Sequence, residues 1–178
     1  MGLMINRKNQ YSEVVIRIAG LPYGQHEYNF SVQPASVGLD GNFHDIVSIH
    51  AEIEKSSRQI LLKTDIITTG VFECDRCLDE FIQPISTSYN LCYVYNEVDG
   101  EKISPEELQV ISPDTLLLDL ADDIRQMVLL SVPLKLLCSE DCKGLCPHCG
   151  TNWNHGTCNC KQEEIDPRWQ GLKDFLSH

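Results

Sequence analysis

Gln59-Ile60-Leu61-Leu62-Lys63-Thr64-Asp65-Ile66-Ile67-Thr68-Thr69-Gly70-Val71-Phe72 leads through Glu73 into Cys74-Asp75-Arg76-Cys77, and a second run of similar character extends from Phe81 to Tyr95. β-Branched and aromatic residues dominate both runs, as they do in strands packed on a half-buried pleated surface. The Cys-x-x-Cys pair therefore falls at the tip that connects two strands, where a rigid turn is useful. Just upstream, Val47, Ile49, Ala51 and Ile53 alternate with Ser48, His50, Glu52 and Glu54. That period of two marks a strand, and Lys55-Ser56-Ser57 can turn it into Gln59 as a hairpin. The expected fold class is α+β: mainly an antiparallel β sheet or partly closed barrel, with one amphipathic helix and a C-terminal cysteine-rich zinc-knuckle module.

Outward from this centre the pattern weakens toward the N-terminus and changes toward the C-terminus. Val14 to Ile18 reads as a short strand; Gly20, Pro22, Gly24 and Pro34 then make the next fifteen residues a loop. After Ser112-Pro113-Asp114, the residues Leu117, Leu120, Ala121, Ile124, Met127 and Val128 recur at helical spacing, with acids in the first turns where the helix dipole favours them. This predicts a helix near 115–130, stopped by Pro133. Asp166-Pro167-Arg168 caps a further short helix carrying Trp169, Leu172, Phe175 and Leu176 on one side. The expected division is a β-rich core at 1–135 and a cysteine-rich metal module with the terminal helix at 136–178.

Composition narrows the function. With 178 residues, 42% hydrophobic and 22% charged, the chain has the make-up of a folded globular protein with a sizeable core. Its 26 acids and 14 bases give a formal net charge of −12, the wrong sign for broad phosphate contact. Nine acids against Lys102 alone place −8 of that charge between Glu97 and Ile124, which reads as a solvated face before it reads as a dock for a basic partner. The oily run from Leu129 to Leu137 is interrupted by Pro133 and Lys135 and is too short to span a bilayer. With no apolar signal segment after Met1-Gly2-Leu3-Met4-Ile5, the expected location is the cytoplasm and no membrane partner is expected.

Nine cysteines demand an explanation. A chain with a core and no export signal keeps its thiols reduced, so metal ligation accounts for them better than disulfides. Cys146-Pro147-His148-Cys149-Gly150 has the form of a zinc knuckle and is followed by Cys158-Asn159-Cys160; two such pairs complete a closed tetrahedral site. Cys74 and Cys77 lack a local partner pair, and so do Cys138 and Cys142. The reading is one local site (Cys146, Cys149, Cys158, Cys160) and one long-range site (Cys74, Cys77, Cys138, Cys142), each holding structural zinc. Cys92, in an alternating run, is left as a small buried hydrophobe. A single ion from the C-terminal cluster, with His148 or His155 replacing a cysteine, is the alternative, because spacing does not choose among crowded thiols. Disulfide or redox use is the third, although a redox Cys-x-x-Cys opens a helix and this one lies between strands.

An enzymatic reading has one foothold. His50-Ala51-Glu52 followed by Cys74-x-x-Cys77 resembles the zinc deaminase signature. That signature needs a proline before its first cysteine and two helix starts; here Glu73 precedes Cys74 and His50 sits on a strand. Closed four-thiolate sites also leave a metal no open position for water or substrate.

The run Val132-Pro133-Leu134-Lys135-Leu136-Leu137-Cys138-Ser139-Glu140-Asp141-Cys142-Lys143-Gly144-Leu145-Cys146-Pro147-His148-Cys149-Gly150-Thr151-Asn152, with Cys158-Asn159-Cys160, Asp166-Pro167-Arg168-Trp169 and the earlier Cys74-Asp75-Arg76-Cys77-Leu78, resembles the YceD family. The likeness covers Glu73 to the C-terminus, and the first seventy residues are compatible with it. It implies a bacterial or plastid protein needed for accumulation of large-subunit ribosomal RNA, with no established enzymatic activity. A ribosomal protein or assembly factor is the expected partner, with ribosomal RNA contacted indirectly; direct RNA binding is the alternative, and a zinc-dependent hydrolase or deaminase the third. Each four-thiolate zinc site adds two negative charges, so two sites would take −12 to −16 and disfavour phosphate-driven binding further.

Overall fold

The long hairpin expected around Cys74 is the spine of the molecule. In the computed structural model, which describes residues 12–96, 104 and 107–160, strands β4 (Gln59–Glu73) and β5 (Glu80–Val94) pair antiparallel along their whole length, from Gln59 opposite Val94 to Glu73 opposite Glu80. Strand β3 (Val47–Lys55) joins β4 through the turn at Ser56, whose hydroxyl and amide both donate to the carbonyl of Gln59 at 2.9 Å. Strand β2 (Gly24–Val32) lies on the far side of β3, and β6 (Leu108–Val110) runs parallel beside the end of β5. The sheet order is β2-β3-β4-β5-β6. A separate ribbon pairs β1 (Val15–Arg17) with β7 (Leu117–Asp119), followed by helix α1 (Ala121–Leu130).

Period-two alternation fixes which face is covered. Ile49, Ala51 and Ile53 on β3, Ile60, Leu62 and Ile66 on β4, and Ile85, Tyr89 and Tyr93 on β5 are buried. They join a single core with Val14, Ile16 and Ile18, with Leu118 and Leu120, and with Ile124 and Val128 of α1. The ribbon and the helix thus pack on one face of the sheet, and among the described residues no helix or second sheet covers the other, the usual arrangement for an antiparallel sheet.

Three expectations are corrected. Residues 24–32 form strand β2 rather than a loop, because the turn formers sit at its ends: Gly24 starts the strand at φ 121°, and Pro34 opens a 3-10 turn, Pro34–Val37, after it. Within it His26, Tyr28, Phe30 and Val32 alternate inward, the signature of an edge strand diluted by polar neighbours. The helix begins at Ala121, not near 115, because Leu117–Asp119 is taken up by pairing with β1 and Asp119 Oδ1 accepts the Ala121 amide at 3.1 Å. The sheet does not close into a barrel, since no pairing joins β2 to β6 among the described residues. It is mainly antiparallel, as expected, with β6 alone entering parallel. The helix expected after Asp166 lies outside the described residues.

Gly70 shows how tightly the covered face is filled. A Cβ there would fall 2.5 Å from the Phe72 ring and 3.4 Å from that of Phe43, and both rings are buried edge to face at 6.0 Å between centroids. The buried Phe72 ring would have to shift to admit that Cβ, so Gly70→Ala should destabilise the protein by ~1–3 kcal/mol, read as a lower denaturation midpoint in urea with an unchanged slope.

Candidate metal centres

The β4–β5 hairpin ends in the turn Cys74 to Asp79. Leu78 donates its amide to the Cys74 carbonyl at 2.9 Å, and the Cys74 amide donates to the Asp79 carbonyl at 2.9 Å. The later turn repeats the first of these bonds, with the Gly150 amide donating to the Cys146 carbonyl at 2.9 Å. In both, the residue after the second cysteine is left-handed, Leu78 at φ 62° and Gly150 at φ 72°. Glycine takes that conformation freely, whereas leucine pays a steric penalty of ~1–2 kcal/mol.

The eight cysteines read as ligands fall into the two groups expected. The sulfurs of Cys74, Cys77, Cys138 and Cys142 lie within 4.8 Å of one another, and so do those of Cys146, Cys149, Cys158 and Cys160. In the first group Cys74 Sγ is 3.8 Å from Cys142 Sγ, and Cys77 Sγ is 3.6 Å from Cys138 Sγ. Disulfide sulfurs would be ~2.05 Å apart, and all nine cysteines are free thiols. Four thiolates held at ~2.3 Å by one tetrahedral ion have edges of ~3.8 Å, so the spacing of the first group fits a metal ion. Cys74, Cys77 and Cys142 are buried there with Cys138 exposed, whereas only Cys146 is buried in the second group.

Neither candidate histidine joins a group of thiols. His155 Nε2 lies 3.0 Å from Asp79 Oδ2, and His148 belongs to neither cluster. His50 is on β3, with its ring nitrogens toward Asn29 Oδ1 at 2.9 Å and Glu52 Oε1 at 3.4 Å, so the deaminase-like grouping with Cys74 and Cys77 does not form. Cys92 is buried in β5, outside both clusters.

Sequence reading missed the residues that lock the turns together. Asp75 accepts the Leu136 amide on Oδ2 at 2.7 Å and returns its own amide to the Leu136 carbonyl at 2.8 Å. Arg76 donates Nη1 to the Cys142 carbonyl at 2.9 Å, while its own carbonyl accepts the Leu145 amide at 3.1 Å. Asn154 spans the module, accepting the Lys143 amide at 2.8 Å and donating Nδ2 to Cys142 Sγ at 3.3 Å. Asp79 receives Asn152 Nδ2 at 2.7 Å in addition to His155. The only signal for these roles was the density of Asp and Asn beside the cysteines.

A family profile described as large ribosomal RNA subunit accumulation protein YceD matches residues 62–176, a span that takes in both clusters. The chain belongs to the YceD family. Among its relatives, an uncharacterised protein of Mycobacterium tuberculosis is 27% identical over 167 residues, covering 91% of this chain and 79% of its own length. The uncharacterised protein YlbN of Bacillus subtilis is 24% identical over 131 residues, covering 73% of this chain and 74% of its own. The chloroplastic large ribosomal RNA subunit accumulation protein YCED homolog 1 of Arabidopsis thaliana is 23% identical over 145 residues, covering 67% of this chain and 45% of its own. No solved structure matches the chain.

In this YceD protein the thiols of each cluster ionise unequally. Burial pushes Cys74 up, but amides of Cys138, Arg76 and Cys77 outweigh it and bring the thiol down to about 6. The Asn154 side chain holds Cys142 low against burial. At Cys77 the Asp79 amide pulls down, yet burial and the sulfurs of Cys74, Cys138 and Cys142 drive the thiol up; burial, with the Cys142 and Cys74 sulfurs, does the same to Cys138. In the second cluster the Thr151 hydroxyl and amide lower Cys149 to about 6, and the Cys149 sulfur pushes Cys160 up to about 12. Near pH 7 each cluster therefore combines thiolates with thiols that hold their protons because their neighbours are negative.

Two outcomes follow from this geometry. Ligation has to expel the protons on Cys77, Cys138 and Cys160, so apparent metal affinity should rise with pH and fall steeply below about pH 6 as Cys74 and Cys149 also protonate. Calorimetry of metal binding in two buffers of different ionisation enthalpy counts those protons. Cys77→Ser, which breaks the long-range cluster, should lower the melting temperature of the whole domain, whereas Cys158→Ser should loosen mainly the segment after Cys142 and leave the sheet intact. Unchanged metal content and stability in Cys77→Ser would return the Cys74–Cys77 turn to a plain reduced hairpin tip.

Proposed function

We propose that this chain supports accumulation of large-subunit ribosomal RNA in the cytoplasm as a non-enzymatic factor, acting through contacts with a ribosomal protein or assembly factor and stabilised by two structural zinc ions. The observation that carries the reading is the family match over 62–176, which spans the hairpin tip and both cysteine clusters. Its chloroplast relative bears the same function in its name. Zinc is the metal favoured by four thiolates at tetrahedral spacing in a closed site. With all four positions filled by sulfur, such an ion gives the fold rigidity and offers no place to polarise a substrate or activate water. Among the described residues no helix is long and apolar enough to cross a membrane.

Protein contact is favoured over direct RNA contact by charge. The net charge of −12 becomes −16 with two four-thiolate zinc sites, and phosphate binding depends on neutralising cations. Deleting the gene in its own host should lower the ratio of large- to small-subunit RNA, and wild-type protein supplied in trans should restore it. Elemental analysis of the purified chain should give two zinc per molecule. Tight binding of purified protein to large-subunit RNA at physiological salt, with a steep salt slope, would replace the protein-contact reading with the RNA-binding one.

A further inference from the structure

The open face of the large sheet holds a cavity of about 670 Å³, within the size range of ligand sites. Its floor crosses β2, β3, β4 and β5. Glu27 stands directly opposite Glu52, which in turn faces Lys63; Glu54 and Leu61 pair in the next outward row, and Glu107 contributes to the rim. Among the described residues, four carboxylates thus line the space with one ammonium group.

Those acids are poorly compensated. Like charges directly opposite on paired strands repel, and Glu27 and Glu52 are so placed. Glu52 lies 3.4 Å from His50 Nε2, while Glu27, Glu54 and Glu107 make no ion pair among the described residues. A cation entering the cavity relieves this repulsion as well as adding its own attraction. Leu61, 39% exposed in the floor, supplies apolar surface of the kind that takes the methylene stem of a lysine or arginine. Four strands spaced by ~4.8 Å make a floor ~14 Å across, the reach of about four residues of extended chain. A nucleic-acid backbone would instead bring phosphates against carboxylates.

We infer that this cavity docks an extended lysine- or arginine-rich segment of a partner protein. The inference rests on the reading of the chain as a factor that works through protein contacts, and it names the chemistry of one such contact.

The test compares two variants of equal charge change in the full chain. Glu27→Gln/Glu52→Gln removes the facing pair in the cavity; Glu73→Gln/Glu80→Gln removes another facing pair at the far end of the same sheet face. The probe is a fluorescent hexapeptide of alternating lysine and alanine, followed by anisotropy at physiological salt. The cavity variant should bind about fivefold or more weakly and the control less than about twofold. Peptide should also shift the backbone amide resonances of Glu52 and Lys63. Equal weakening in both variants would show attraction to net charge alone and overturn the site. Spermidine binding as tightly as the peptide would overturn a peptide dock in favour of a small-cation site, and competition by a uridine dodecamer would overturn it in favour of nucleic acid. The melting temperature of the cavity variant should match or exceed that of the parent, since a repulsion is removed. In cells, normal large-subunit RNA with the cavity variant would overturn the cavity's role in that function, whereas normal RNA after deletion of the whole gene would instead overturn the functional reading.

Discussion

Four sulfurs gathered at the end of a hairpin of two fifteen-residue strands bring together parts of the chain that are 61 positions apart. Cys74 and Cys77 arrive there because β4 and β5 stay in register to their last pair, Glu73 opposite Glu80. Cys138 and Cys142 arrive because the segment after α1 is tied back by Asp75 to Leu136 and by Arg76 to the Cys142 carbonyl. Joining the two through one ion would close a loop whose free-chain entropy is worth on the order of 4 kcal/mol. That is comparable with the net stability of a small domain. The intervening segment includes β7 and α1, so two of the three elements that pack on the sheet would lie inside that loop, with β1 held to it by pairing with β7.

The covered face and the open face of the sheet then serve different ends. On the covered face, Ile16, Leu118, Ile124 and Val128 complete the core with the strands, and at Gly70 the Phe72 ring stands where a Cβ would fall. On the open face the strands carry acids and exposed apolar residues, among them Ile67 and Ile82 at 60% and 68% exposure. A surface with this mixture gains nothing for folding from its unpaired carboxylates. Its exposed carboxylates and apolar side chains are the groups on which the proposed docking of a basic segment would draw.

The strand–turn–strand reading of 59–95 and the two cysteine groups were legible because each depends on a strict short-range rule, a period of two in one case and tetrahedral pairing of thiols in the other. Strand β2 was not legible, because an edge strand presents polar residues such as Gln25, Glu27 and Asn29 at alternate positions and its flanking Gly and Pro imitate a loop. The helix start was misplaced for a related reason. Leu117 and Leu120 fit the helical period by chance, but Leu117–Asp119 can pair with β1 and its backbone groups are satisfied there first. The parallel entry of β6 and the roles of Asp79, Asn152 and Asn154 depend on contacts between residues far apart in sequence, which no local pattern encodes.

The two clusters are joined in an unequal way. Gly144, at φ 75°, packs so near the first turn that a Cβ would lie 3.0 Å from the Arg76 carbonyl oxygen, and Asn152 and His155 both reach back to Asp79. The second cluster is therefore seated on the first, through residues that lie between Cys142 and Cys158. The reverse support is narrower: Asn154 touches Cys142 Sγ, and the hairpin's own ladder needs nothing from beyond residue 142. The first cluster defines the end of the sheet, and the second extends that rigid end outward. A chain lacking the later cysteines could keep the hairpin tip and its sheet, at the loss of the surface that 143–160 adds.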